Sequence, residues 1–274
     1  MSRIAARFAA LAAEKRGALV PFLEAGDPDP DTSWAILSGM PGAGADLIEI
    51  GMPFTDPMAD GPTVQAAGKR ALAAGASMVR TLAMVRRFRA QDADTPIILM
   101  GYLNPILSYG PARFCADAET AGVDGLIVVD MPTEEADLLA GHARDHALDI
   151  IRLVAPTTDD ARMPIVLDGS SGFIYYVSIT GITGTRTASA DELAAAIPRI
   201  RRVSSLPIAV GFGVRSPAQA AAAVIAADGA VVASALIDTL AATLDGQGRA
   251  TPASVPAVLE QVRTLADAVR GARG

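Results

Sequence analysis

Short apolar runs recur along the chain, and each is followed by turn residues and then by a longer segment whose apolar positions repeat with helical spacing. This alternation predicts repeated β-α units and a parallel sheet. Eight runs have the length and the flanking turn residues of buried strands. They are residues 18–23, 46–51, 96–101, 125–130, 149–154, 172–178, 207–211 and 229–234.

Helical segments are predicted between these strands, at residues 31–42, 78–90, 133–146, 190–203 and 217–226. Right-handed crossovers among such units form either a closed barrel or a doubly wound open sheet, because both folds use the same local pattern. The count of eight strands favours an α/β fold of the (β/α)8 TIM-barrel type, with residues 1–274 as a single domain. An amphipathic N-terminal segment predicts an extra helix across the barrel bottom, and a connection at 245–256 leads to an added final helix.

Composition and charge narrow the class of protein. Hydrophobic residues make up 51% of the chain and aromatic residues only 4%, so Ala, Val, Ile and Leu are expected to build the core. The formal net charge of −7 argues against a nucleic-acid partner. The sequence has no uninterrupted apolar run of about 18 residues, so no membrane span is predicted. The one cysteine, Cys115, is expected to be a buried apolar residue in a helix. It excludes an intramolecular disulfide and fits a reducing compartment, so we expect a cytoplasmic protein.

Two carboxylates, Glu49 and Asp60, stand at and just beyond the end of the second predicted strand. Glu49 interrupts a buried apolar run, where an unpartnered charge is costly. It is either a general acid/base in a dry pocket or a structural glutamate paired with an arginine or backbone donors. Asp60 lies in a loop rich in Pro and Gly, where it either faces the barrel mouth or caps the next helix. Because barrel active sites form at the C-terminal ends of the strands, this pair is the leading catalytic candidate.

A series of longer motifs points to one family. The stretch IEIGMPFTDPMADGPTVQAA at 48–67 closely resembles the signature of the α subunit of tryptophan synthase, a barrel enzyme that cleaves indole-3-glycerol phosphate to indole and glyceraldehyde 3-phosphate. Further motifs resemble the family in the same order along nearly the whole chain. They are FLEAGDPD at 22–29, LMGYLNPIL at 99–107, GLIVVDMPTEE at 125–135, LVAPTT at 153–158, GFIYYVSITGITGTR at 172–186 and VGFGV at 210–214.

The resemblance assigns roles to the two carboxylates. It implies that Glu49 moves a proton between indole C3 and the neighbouring side-chain hydroxyl, while Asp60 hydrogen-bonds the indole N–H and stabilises the positive charge that develops there. It also implies that this chain carries no metal and no organic cofactor. The implied partner is a separate pyridoxal-phosphate β subunit, in an α2β2 heterotetramer, with loops 53–60 and 178–189 near the interface.

Phosphate is expected at the loops that follow strands seven and eight, where barrels commonly present backbone N–H groups and a helix N-terminus. The family usually has glycine where this chain has Ala233, whose N–H is still available. By resemblance, loop 178–189 closes over the substrate and Thr183 contacts the catalytic loop. The candidate phosphate ligands are Gly184, Gly211, Gly213, Ala233 and Ser234.

Indole requires an apolar slot, although residues that merely fill a barrel look the same in sequence. The adjacent Tyr175 and Tyr176 alternate across a strand, so only one faces the interior, and the resemblance favours Tyr175. Glu24 stands where many family members have threonine, and the sequence leaves the role of this extra carboxylate open. The other candidates for the slot are Phe22, Met100, Tyr102, Val129, Leu153 and Phe212.

Two other functions fit parts of the pattern. A sugar-phosphate isomerase or epimerase would share the Gly-Phe-Gly loop at 211–213 but not the pair of Glu49 and Asp60. A non-catalytic activator of a β subunit would be expected to have lost one carboxylate, whereas this chain has both.

Overall fold

The structure, a computed structural model, describes residues 2–177, 190–211 and 213–273. Its strands form one parallel sheet in the order β5-β4-β3-β2-β1-β9-β8-β7-β6. Every predicted strand is found, with bounds that differ by a few residues. The strands are β1 (Ala18–Glu24), β2 (Ile48–Gly51), β3 (Ile97–Gly101), β4 (Gly125–Val128), β5 (Asp149–Ile150), β6 (Arg152–Val154), β7 (Ile174–Val177), β8 (Ile208–Gly211) and β9 (Gly229–Val232).

The two ends of the sheet meet at Ile151. β5 pairs with β4 and β6 pairs with β7, yet only Ile151 separates β5 from β6 along the chain. The two short ladders therefore belong to one continuous run, the fifth strand predicted from the sequence. Counted in this way, eight strands form a nearly closed barrel, which confirms the barrel over the open sheet.

Helices surround the barrel, as expected for parallel strands that are buried on both faces. The last helix packs against the second, tenth and eleventh. The described α-helices are α1 (Arg3–Ala13), α2 (Pro30–Ala43), α3 (Pro62–Ala73), α4 (Met78–Arg89), α5 (Leu103–Tyr109), α6 (Pro111–Ala121), α7 (Ala140–Asp145), α8 (Met163–Val166), α9 (Ala190–Arg201), α10 (Pro217–Ala226), α11 (Ser234–Ala242) and α12 (Ser254–Gly271).

The N-terminal helix closes one end of the barrel, as the amphipathic pattern predicts. Ile4, Phe8 and Leu11 of α1 are buried in the same cluster as the inward-facing side chains of the strands. Phe8 lies 5.7 Å from Phe173, measured between ring centroids. Since Phe173 immediately precedes β7, α1 covers the N-terminal ends of the strands and leaves the opposite end open for a site.

The predicted helix at 133–146 is the one predicted element whose type differs in the structure. Residues Thr133–Leu138 form a 3-10 helix, and α7 begins only at Ala140. Leu139, between them, is fully buried and has φ −136°, which is outside helical geometry. Packing of Leu139 into the core thus interrupts the helix, whereas the sequence periodicity is compatible with either helix type over six residues.

Three further observations apply to the described ranges only. Cys115 on α6 is fully buried, as predicted. None of the helices in those ranges combines the length and the apolar character that a membrane crossing requires. Within the same ranges, no three His, Cys, Asp or Glu side chains are grouped so that they could hold a metal ion.

Candidate active site

A cavity of about 530 Å³, measured with its open mouth, lies at the C-terminal ends of the strands. It brings together residues from five strands and from the segments that follow β2, β8 and β9, which are far apart in sequence. Its lining residues are Phe22, Glu49, Asp60, Val64, Met100, Tyr175, Gly213, Val214, Arg215, Val231, Ala233 and Ser234.

Glu49 lies on the inner face of β2. Leu47, two residues earlier on the same face, packs in the barrel interior, while Ile48 and Ile50 pack outward under the helices. The Glu49 side chain is 1% exposed, and its Oε2 has no hydrogen-bond partner among the described residues. Burial, with the nearby charge of Asp60, raises the pKa of Glu49 to about 8. At neutral pH this group therefore holds a proton.

Asp60 is held at the cavity by contacts from both sides of its loop. The Tyr102 hydroxyl hydrogen-bonds the Asp60 carboxylate and also accepts from the Ala59 N–H at 3.0 Å. Gln65 Nε2 donates to the Asp60 carbonyl at 2.9 Å. Burial raises the pKa of Asp60 to about 6, although the hydrogen bond from Tyr102 acts in the opposite direction.

The helix after this loop does not use Asp60 as its cap. The N-cap residue of α3 is Gly61, which makes no side-chain capping bond, and Pro62 opens the helix. The carboxylate is thus left to face the cavity. With the pKa values above, a protonated Glu49 and an ionised Asp60 share one pocket near pH 7, the arrangement of a proton donor beside a fixed anion.

The apolar candidates divide between this cavity and a chamber that adjoins it. Phe22 and Met100 line both, Tyr175 lines the cavity, and Tyr102 and Val129 line the chamber. Leu153 packs in the barrel interior and is not among the residues that line either space. Tyr176 packs outward, so Tyr175 is the inward-facing tyrosine, as expected.

The expected phosphate end of the cavity is built from Gly213 and the start of α11. Gly213 has φ +89°, a backbone conformation that glycine adopts far more readily than other residues. Ala233 is the N-cap of α11 with φ −116°, a negative value that does not require glycine. The first N–H groups of α11, starting at Ser234, have no partner within the helix.

Gly211 leaves space for the side chain of Tyr175. A side chain at this position would bring its Cβ to 2.1 Å from the Tyr175 hydroxyl oxygen. The glycine therefore makes room for the tyrosine ring, and the structure does not place it among the residues that line the cavity. Its predicted contact with phosphate stays a prediction.

Three predicted site residues, Thr183, Gly184 and Phe212, lie outside the described residues, as does loop 178–189. Their assigned roles remain predictions.

Sequence reasoning missed two polar residues at the site. Arg215 is the one cation among the described residues that line the cavity, and its guanidinium pairs with Asp238. The sequence signal that could have identified Arg215 is a basic residue two positions after Gly213, in the loop where phosphate is expected. Gln65 lines the adjoining chamber and fixes Asp60, but nothing in the loop sequence distinguishes it from an exposed helix residue.

The family model for the tryptophan synthase alpha chain matches residues 8–270. The chain belongs to the tryptophan synthase alpha chain family. The tryptophan synthase alpha chain of Granulibacter bethesdensis is 71% identical over 273 residues, which cover 100% of this chain and 98% of that protein. That of Gluconacetobacter diazotrophicus is 70% identical over 273 residues, covering 100% of both chains.

Solved structures agree with this assignment. Tryptophan synthase subunit alpha from Legionella pneumophila superposes with a TM-score of 0.89 at 38% identity, covering 98% of each chain. A tryptophan synthase structure from Mycobacterium tuberculosis gives a TM-score of 0.87 at 36% identity, also covering 98% of each chain. The resemblance found in the sequence motifs is confirmed, and with it the barrel of the tryptophan synthase alpha chain family.

Proposed function

We propose that Glu49 and Asp60 are the catalytic pair of this chain. As a tryptophan synthase alpha chain, it is a carbon–carbon lyase that cleaves indole-3-glycerol phosphate, here to indole and glyceraldehyde 3-phosphate. The observation that carries the proposed roles is a buried, protonated glutamate beside an anionic aspartate in one cavity.

The first step is protonation of the ring. Glu49 donates its proton to indole C3, which turns the ring into an indolenine with positive charge at N1. Asp60 accepts a hydrogen bond from that N–H, and its negative charge stabilises the positive charge as it develops. A carboxyl group with a pKa of about 8 holds the required proton at neutral pH, and one with a pKa of about 6 supplies the anion.

The second step breaks the carbon–carbon bond. The Glu49 carboxylate takes the proton from the hydroxyl next to the ring, the oxygen forms the aldehyde of glyceraldehyde 3-phosphate, and the electrons of the broken bond return to the ring as indole. Glu49 regains the proton it gave, so no net proton is consumed. One residue therefore performs both transfers, which is consistent with a single unpartnered oxygen on Glu49 among the described residues.

The substrate has an apolar and an anionic end, and so does the cavity. We assign the indole ring to the space between Phe22, Met100 and Tyr175. The phosphate is assigned to the opposite end, where the N-terminus of α11 at Ser234 and the guanidinium of Arg215 favour an anion. The remaining predicted contacts are those of Tyr102, Val129, Leu153, Thr183, Gly184, Gly211, Phe212, Gly213 and Ala233.

Release of indole from indole-3-glycerol phosphate tests the activity. The purified chain is expected to release indole slowly alone and much faster with a tryptophan synthase β subunit. Absence of indole release in both conditions would contradict the enzymatic assignment. An inactive chain that still accelerates the reaction of the β subunit would instead identify a non-catalytic activator.

A β subunit is the partner that membership of the family implies, and we propose an α2β2 assembly. Four exposed apolar side chains support a protein partner over the barrel mouth, because each lies in a segment that follows the C-terminal end of a strand. These are Met58, Leu107, Leu138 and Ile165. The buried, single Cys115 supports our assignment of the protein to the cytoplasm.

A further inference from the structure

Glu24 is a third carboxyl group at the site, and neither step of the proposed reaction uses it. It ends β1 on the same inward face as Phe22, and it pairs in register with Gly51, two residues beyond Glu49. The side chain is only 6% exposed and lines the chamber that adjoins the cavity, together with Asp60, Gln65 and Tyr102.

Two glycines make room for this carboxyl group. A Cβ on Gly51 would lie 2.3 Å from Glu24 Oε2, and a Cβ on Gly68 would lie 3.9 Å from Glu24 Oε1. Any larger residue at Gly51 would therefore displace the Glu24 side chain. The space beside the two glycines thus accommodates a buried carboxyl group.

The nearest charges on Glu24 are negative. Burial and the carboxylates of Asp60 and Asp27 raise the pKa of Glu24 well above its usual value. Arg70 on α3 does not neutralise Glu24, because its guanidinium binds both oxygens of Asp27, at 2.6 and 2.8 Å. These surroundings therefore favour the protonated form of Glu24, whose O–H can donate to an acceptor in the chamber.

Charges on the other elements packed around β1 do not change this balance. Glu49 on β2 is itself protonated near neutral pH, and Asp238 on α11 is paired with Arg215. The remaining charged side chains on α2, α3 and α12 are exposed to solvent: Asp31, Lys69, Glu260, Arg263, Asp267 and Arg270. Asp60 is thus the anionic group in the chamber to which a protonated Glu24 can donate a hydrogen bond.

We propose that Glu24 is a positioning residue for Asp60. The Glu24 carboxyl group donates a hydrogen bond to the Asp60 carboxylate through one bridging water, so that Asp60 stays anionic and oriented toward the substrate. The inference rests on the proposed role of Asp60. A carboxylate has acceptor sites for several donors, so Glu24, Tyr102 and the indole N–H can bind Asp60 together. Loss of the Glu24 donor makes the anionic form of Asp60 less favourable.

Two substitutions separate donation from volume. Glu24→Gln keeps a hydrogen-bond donor of similar size, whereas Glu24→Leu removes the donor and keeps a side chain that fills the space between Gly51 and Gly68. With the β subunit present, kcat/KM for indole-3-glycerol phosphate is measured from pH 5 to 9. In Glu24→Leu the acidic limb is expected to move up by about one pH unit, which is about a tenfold loss below the midpoint and a smaller loss at pH 8. Glu24→Gln is expected to keep the wild-type limb.

A second readout does not depend on turnover. The Asp60 carboxyl is titrated by 13C NMR in the free protein, with its signal assigned through Asp60→Asn, and thermal unfolding reports whether each variant is folded. A raised Asp60 midpoint in Glu24→Leu but not in Glu24→Gln supports the proposal even if the chain proves inactive on indole-3-glycerol phosphate. An unchanged midpoint in folded Glu24→Leu, or equal shifts in both variants, would overturn it.

Discussion

At the scale of single residues, the proposed chemistry depends on two carboxyl groups whose surroundings separate their pKa values. Glu49 is enclosed by the barrel and feels the charge of Asp60, whereas Asp60 is held by the hydroxyl of Tyr102. Because the groups interact, their protons are lost in two steps that belong to the pair. In the proposed mechanism, the active form of the free enzyme is the one with a single proton on the pair.

The pH dependence of kcat/KM follows from this state. Activity is expected to rise as Asp60 ionises near pH 6, to peak near pH 7 and to fall as Glu49 loses its proton near pH 8. Steady-state rates of indole release between pH 5 and 9.5 measure the two limbs. A profile that stays flat across this range would show that these groups do not titrate in the active form.

Burial of Glu49 also affects stability. Its pKa is raised in the folded state, so the folded protein keeps a proton that the unfolded chain has lost above about pH 4.5. Stability therefore falls as the pH rises from about 4.5 to 8, by at most about 1.4 kcal/mol per pH unit from this group.

Glu49→Gln removes that titration and keeps the shape of the side chain. The thermal midpoint of the variant is expected to exceed that of the wild type by a margin that widens from pH 5 to pH 8, at roughly 2–4 °C per kcal/mol. Differential scanning calorimetry at several pH values measures the margin. A constant difference would mean that Glu49 is not buried in its acid form.

At the scale of elements, the segments that follow the strands contribute to the cavity and also carry exposed apolar side chains. Leu107 on α5 is 44% exposed on this side, whereas Ile225 on α10, 66% exposed, lies near the end of a helix that leads back to the N-terminal end of β9. The two residues therefore make a matched pair for testing where a partner binds.

Leu107→Asp is expected to weaken binding of the β subunit about tenfold or more, because a charge replaces an apolar contact. Ile225→Asp is expected to leave the affinity unchanged. Calorimetric titration of each variant with the β subunit gives the comparison. Equal affinities for the two variants would place the partner elsewhere on the barrel.

Sequence patterns predicted the strands well, because buried parallel strands appear as short apolar runs between turn residues. The interruption at Leu139 was not predictable, since it results from packing in the folded protein. At the site, the inward direction of Glu49 follows from strand alternation. The environment of Glu24 does not, because it depends on Gly51 of the neighbouring strand and on a loop that folds back from β2.

At the scale of the whole molecule, closure of the barrel brings all parts of the site together. The sheet returns to its starting point at Ile151, α1 covers one end, and α12 packs against helices from both halves of the chain. We propose on this basis that residues 1–274 form one domain. The open end then brings together the proposed ring slot from β1 and β3, the two carboxyl groups from β2 and its loop, and the proposed phosphate end from the segment after β8 and from α11.

The most direct test of this assembly is single-turnover cleavage of indole-3-glycerol phosphate by Glu49→Gln in the presence of the β subunit. Gln cannot give up and regain a proton, so indole release is expected to fall by at least about a thousandfold. Binding of glycerol 3-phosphate, which needs only the phosphate end, is expected to stay near the wild-type affinity. Indole release at a near-normal rate would contradict the central role of Glu49.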